Sequence, residues 1–105
     1  MATASDTDRD DLFVAMAHPL RRRILRTMHD DEGDVSPREL ADWLEQPLSR
    51  LSYHVKVLER CGALKLVDTQ PVRGSTQHFY RSVVNADWAL LALQADGESR
   101  RRSRR

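Results

Sequence analysis

Within the twelve positions from 49 to 60 the chain gathers Ser49, Arg50, Ser52, Tyr53, His54, Lys56 and Arg60, which are three hydroxyls, three cations and an imidazole. Side chains of these types donate hydrogen bonds to phosphate oxygens and to the edges of bases. An arginine fork suits paired acceptors, and a lysine acts as a point charge. Arg73, in "TQPVRGS", adds a further cation in a separate segment. This is the chemistry of recognition. The sequence has no glycine-rich phosphate loop, no G-x-S-x-G, no metal triad and no obvious acid pair, so no enzyme is expected.

The elements that must position these residues can be read from spacing. "RDDLFVAMA" sets Leu12, Phe13, Met16 and Ala17 at helical intervals until Pro19 interrupts. "PLRRRILRTMHDD" follows, with Leu20, Ile24, Leu25 and Met28 on one stripe and Pro19 suited to the first helical position. "SPRELADWLE" begins with a capping box, Ser36 and Glu39, and buries Leu40 and Leu44. A short turn around "QPLS" leads to the helix that carries the seven residues above, and this is the connection of a helix-turn-helix. At about 100° per residue, Leu51, Val55 and Leu58 lie within about 80° of Leu48, while Ser49, Tyr53, Lys56 and Arg60 lie opposite with Arg50 beside them. "ALKLVD" and "TQHFYRSV" alternate as strands around "TQPVRGS" and predict a β-hairpin, which after a helix-turn-helix is a wing. "NADWALLALQA" closes the chain with a last helix, capped by Asn85 and too apolar through Trp88, Leu91 and Leu93 to lie alone on a surface. The expected fold is mainly α with a small β-hairpin wing (α+β), a winged helix-turn-helix of order α-α-α-α-β-β-α.

A chain of 105 residues, 40% hydrophobic and 31% charged, accommodates one domain. That domain is expected over 9–96, between disordered segments at 1–8 and 97–105. The net charge is +1, but five of the 17 basic residues lie in the final "RRRSRR", and taking them away leaves −4. A binding surface must therefore be argued from where the other cations sit, not from net charge. No apolar run approaches the roughly 18 residues of a membrane span, and "MATASDTDRDD" lacks a signal-peptide pattern, so a cytoplasmic location is expected. The single Cys61 fits a reducing compartment.

With "MAHPLRRRIL", "SPRELADWLE", "LSYHVKVLERCGAL" and "HFYRSV" in view, residues 9 to 95 resemble the arsenical-repressor type (ArsR/SmtB-like) of winged-helix transcriptional regulator. The most specific part is "SYHVKVL", similar to the Ser-x-His-aliphatic-Lys-x-Leu pattern of that family's recognition helix. The resemblance implies a homodimer joined through its first and last helices. It also implies two recognition helices in successive major grooves of an inverted-repeat double-stranded DNA operator, and a repressor's role. Pro47 departs from the pattern where relatives often carry a capping serine, and Arg21 to Arg23 are more basic than it demands.

On this reading helix 48–61 reads base edges while the wing, 64–83, holds the backbone. Arg50, in the first turns, is the candidate for a bidentate guanine contact. Ser49, Ser52 and Tyr53 suit bases or phosphates, with a packing or capping hydroxyl equally open for Ser52. His54, Lys56 and Arg60 suit phosphates, and Arg73 the backbone or minor groove. The family's cysteine metal site would need Cys-x-Cys where Ala41, Asp42 and Trp43 stand, and its interface site would need histidines on the last helix, where Asp87 has none after His78. No metal and no cofactor are expected. Trp43, Trp88 and Phe13 suit the core or the lining of an inducer pocket. The alternative function is a winged-helix module that binds protein, which would more often expose aliphatics and aromatics than the basic face read here.

Overall fold

The computed structural model describes residues 11–31 and 33–103. Residues 1–8, expected above to be disordered, lie outside the described residues. Residues 11–16 are helical (α1). They are followed by α2 (Pro19–Asp31), α3 (Pro37–Leu44), α4 (Leu48–Arg60), β1 (Leu64–Val72), β2 (Ser75–Ser82) and α5 (Asp87–Ser103). This is the expected order, a mainly helical domain with an antiparallel hairpin.

Each boundary has a local cause. The capping box opens α3: the Ser36 hydroxyl accepts from the Glu39 backbone N–H at 3.2 Å, and the Glu39 carboxylate accepts from the Ser36 N–H at 3.2 Å. At the other end Glu45 adopts left-handed φ 53° and donates its N–H to the Ala41 carbonyl, which reverses the chain within Glu45, Gln46 and Pro47. Helix α4 starts at Pro47 without a side-chain cap. It ends in a Schellman motif: Ala63 N–H donates to Leu58 O at 2.9 Å and Gly62 N–H to Glu59 O at 3.0 Å, with Gly62 at φ 78°.

The core lies where α2, α3 and α4 meet the base of the wing. It contains Ile24, Leu25 and Met28 of α2, Leu40 and Leu44 of α3, Leu51, Val55 and Leu58 of α4, and Leu64 and Tyr80 of the hairpin. One element was not foreseen. Val35, just before α3, pairs with Tyr80 through two backbone hydrogen bonds of 2.9 and 2.8 Å, so that β2 is flanked by β1 and by this single bridge. That bridge ties the entrance of α3 to the wing.

Two of the three consecutive arginines of α2, Arg21 and Arg22, prove to be structural. Arg21 donates to the carbonyls of Val14 and Ala15 at 3.0 and 3.2 Å, and Arg22 to that of Met16 at 2.8 Å, so both bond the last carbonyls of α1, of which that of Val14 also accepts from the Ala17 N–H. Arg22 also pairs with Asp96 of α5 at 2.7 Å, and Arg23 reaches the Leu44 carbonyl. The first and last helices are thus clamped to α2 by one side chain.

Some sequence expectations are corrected. Phe13 and Trp88, read as core or pocket-lining residues, are exposed and stack on each other with centroids 4.6 Å apart, whereas Ala15, Ala89 and Leu93 are buried. Trp43 is exposed on α3. The N-terminal carbonyl of α5 that accepts from Ala89 and Leu90 belongs to Ala86, not Asn85, because Asp87 and Trp88 already form the first turn. Helix α5 continues to Ser103, beyond the boundary expected at 96: no proline follows Asp87, the one glycine costs about 1 kcal/mol, and arginine is a good helix former.

Candidate nucleic-acid interface

Helix α4 buries Leu51, His54, Val55 and Leu58 and turns the opposite side outward. Ser49, Tyr53, Lys56 and Arg60 are all exposed, Tyr53 by 63%. They fall within about 60° of one another around the helix axis. Leu48, grouped by its spacing with the buried edge, is 40% exposed and lines the cleft on the wing side. Among the described residues neither Lys56 nor Arg60 takes part in an ion pair.

On one edge of this face the wing stands away from the helix and leaves a cleft of about 730 Å³. Ser52 and Lys56 of α4, Arg38 of α3, and Arg73 and His78 of the hairpin line it, over a floor that includes Val55 and Tyr80. No Asp or Glu lines it. Burial, then the carboxylate of Glu59, pushes the Tyr80 hydroxyl up, so it stays protonated. The wing tip is the two-residue turn Arg73–Gly74, with φ of 47° and 81°. Two consecutive left-handed residues give the turn twist that antiparallel strands require, and an arginine in the first of them costs about 1 kcal/mol.

The opposite edge of α4 has its own cleft, about 640 Å³, lined by His18, Pro19, Leu20, Arg23, Gln46, Arg50 and His54. Arg50 is exposed there and donates to the Gln46 side chain at 3.2 Å. It lies about 90° around the axis from the middle of the exposed face, so it flanks that face. His54, expected as an exposed phosphate partner, is only 7% exposed. Its ring packs against His18 with centroids 4.5 Å apart and edge-on to Tyr53, while Arg21 donates to its Nδ1 at 3.3 Å. Burial above all, and then the charges of His18, Arg21 and Arg50, hold its pKa below the ordinary imidazole range. It is therefore neutral at neutral pH.

The structure thus gathers Ser49, Tyr53, Lys56 and Arg60 on one face, places Ser52 and Arg73 on its wing side and Arg50 and His54 on the other. Arg38, His78, His18 and Gln46 join them without having been expected at a DNA interface; His18 and His78 had been weighed in the sequence only as metal ligands and set aside. Arg38 had a signal, its place in the first turn after the capping box; His18 and His78 had none, because neither is close in sequence to α4. Among the described residues no cluster of three or more His, Cys, Asp or Glu side chains suits a metal, and no helix is long and apolar enough to cross a membrane.

The helix-turn-helix domain family matches residues 16–67, which run from the end of α1 into β1. The chain has a winged helix-turn-helix fold. HlyU from Vibrio cholerae N16961 is 25% identical, with a TM-score of 0.61 over 87% of this chain and 89% of that one. The crystal structure of a transcriptional regulator HlyU from Vibrio vulnificus CMCP6 is 22% identical, with a TM-score of 0.60 over 91% of each chain. No curated protein matches the chain.

Proposed function

We propose that this winged helix-turn-helix protein is a DNA-binding transcription regulator that reads an inverted-repeat site as a homodimer and acts as a repressor of the arsenical-repressor type. The observation that carries the reading is the outward face of α4, where Ser49, Tyr53, Lys56 and Arg60 stand exposed on the second helix of the helix-turn-helix. That helix is the one such motifs place in the major groove. A transcriptional regulator among the solved structures of like fold supports the regulatory role. Ser49 and Tyr53 face the bases, Lys56 and Arg60 the phosphates, and Arg73 on the wing the adjoining backbone or minor groove.

The apolar surface that remains on the end helices supports the dimer. Phe13 and Val14 of α1 and Trp88 and Leu91 of α5 are exposed together, and Phe13 stacks on Trp88 across the two helices. Two copies joined there would present two α4 helices to half-sites one turn of duplex apart, about 34 to 36 Å.

Selection of bound duplexes from a random library tests the reading. A single enriched, two-fold symmetric sequence is expected, and Tyr53→Ala should relax its preference at one symmetric position by about 1 to 3 kcal/mol. Lys56→Ala should instead weaken cognate and scrambled duplexes alike and lower the salt slope by about one unit per site. If no sequence is enriched, α4 is not a reader and the protein-binding alternative takes over.

A further inference from the structure

The cleft between α2 and α4, on the side away from the wing, is built from donors. His18 precedes α2 and its Nδ1 accepts from the Leu20 backbone N–H at 3.0 Å. The Nδ1 of His54 accepts from Arg21, whose guanidinium has only donors to offer. With Nδ1 engaged as an acceptor in both rings, the neutral tautomer of each carries its proton on Nε2. The rings of His18 and His54 and the side chains of Arg23 and Arg50 line the cleft, Arg23 also reaching the Leu44 carbonyl, and no carboxylate lines it. In a chain that carries −4 outside its final six residues, the clefts on both edges of α4 are lined without a carboxylate.

We propose that this cleft is a second binding site for a DNA backbone phosphate, on the strand opposite the one held by the wing, and that Arg50 serves it in place of a base. The proposal rests on the DNA reading above. A helix with its side chains is about 10 to 12 Å across, and the major groove is about 12 Å wide, so a helix lying in the groove has a phosphate strand along each flank. Helix α4 has one basic cleft on each flank: Arg38, Lys56, Arg73 and His78 on the wing side, and His18, Arg23, Arg50 and His54 on the other. The exposed Ser49, Tyr53 and Arg60 lie between them. Arg50 is already turned toward this flank by its hydrogen bond to Gln46. His54 is held by Arg21 and lies against His18, so the wall of the site is set by side chains anchored on α2.

The test uses the full chain and a 30-base-pair duplex selected by the wild-type protein, with affinity followed against salt. Arg50→Gln and His18→Asn are the variants; asparagine keeps an acceptor for the Leu20 N–H, so α2 keeps its cap. Each should weaken cognate and scrambled duplexes by a similar factor, Arg50→Gln should lower the salt slope by about one unit per site, and neither should change base preference. Neutral methylphosphonates placed one at a time along the backbone should then find one position per half-site where wild-type binding drops and Arg50→Gln binding does not. If Arg50→Gln relaxes preference at one symmetric base pair, Arg50 reads a base and the proposal is wrong. If affinity and slope are unchanged in both variants although wild type binds its selected duplex, the cleft holds no phosphate. Should wild type select no duplex at all, the DNA reading itself has failed, and this inference fails with it.

Discussion

Arg73 illustrates a residue whose local cost and outward role separate cleanly. It occupies the first position of the hairpin turn at φ 47°, where an L side chain costs about 1 kcal/mol and asparagine or glycine would be better suited. It makes no hydrogen bond or ion pair among the described residues, so nothing in the domain accounts for the arginine, and it lines the cleft beside α4. Arg73→Asn is therefore expected to raise thermal stability, by a few degrees for about 1 kcal/mol in a domain of this size, while lowering DNA affinity and the salt slope. Scanning calorimetry and a salt titration on the same sample check both signs. A variant that binds DNA as wild type does would remove Arg73 from the interface.

Among the elements, α1 is held both by apolar burial, through Ala15 and Met16, and by polar side chains of α2. Its carbonyls at Val14, Ala15 and Met16 accept from Arg21 and Arg22, and Arg22 continues to Asp96 on α5. The ion pair is partly exposed and contributes little by itself, about 0 to 1 kcal/mol. The hydrogen bonds matter more, since without them the carbonyls of Ala15 and Met16 lose their side-chain partners, while that of Val14 keeps the Ala17 N–H. Arg21→Met and Arg22→Met keep most of the aliphatic stem and should each cost about 1 to 3 kcal/mol in urea unfolding at fixed protein concentration. Solvated surface arginines would stay within about 0.5 kcal/mol, and that result would show that α1 is held by its apolar contacts alone. Arg21→Met carries a second signature, loss of the donor to His54 Nδ1, and should disturb the far cleft of α4 where Arg22→Met leaves it intact.

For the whole molecule, the decisive surface is the one that α1 and α5 leave uncovered. Leu91 is 64% exposed, so replacing it costs the single chain little. In a two-fold interface the same residue is met twice, and Leu91→Asp would place two charges against apolar neighbours. Wild type should sediment as two chains at micromolar concentration and Leu91→Asp as one, with an unchanged circular dichroism spectrum and weaker binding to the symmetric duplex. A wild-type monomer that still binds that duplex would overturn the dimer.

The order of the elements and the helix-turn-helix were legible in the amino-acid sequence, although the extent of α5 and the Val35–Tyr80 bridge were not. Capping, proline placement and period are local properties, so Ser36–Glu39, Pro37, Gly62 and Arg73–Gly74 mark their boundaries without knowledge of any distant residue. The sequence also determined the outward face of α4, because a helix with one apolar stripe has only one side to bury. The tertiary structure decided what contact between distant segments decides. It showed His54 covered by His18 and Arg21, and Arg50 turned to a flank. It tied Arg21 and Arg22 to the end of α1, and it left Phe13, Trp88 and Leu91 outside the core. None of these follows from spacing along one helix. Each depends on which neighbour arrives at that face, and a polar side chain reads the same in a sequence whether its partner is water, a carbonyl or a phosphate.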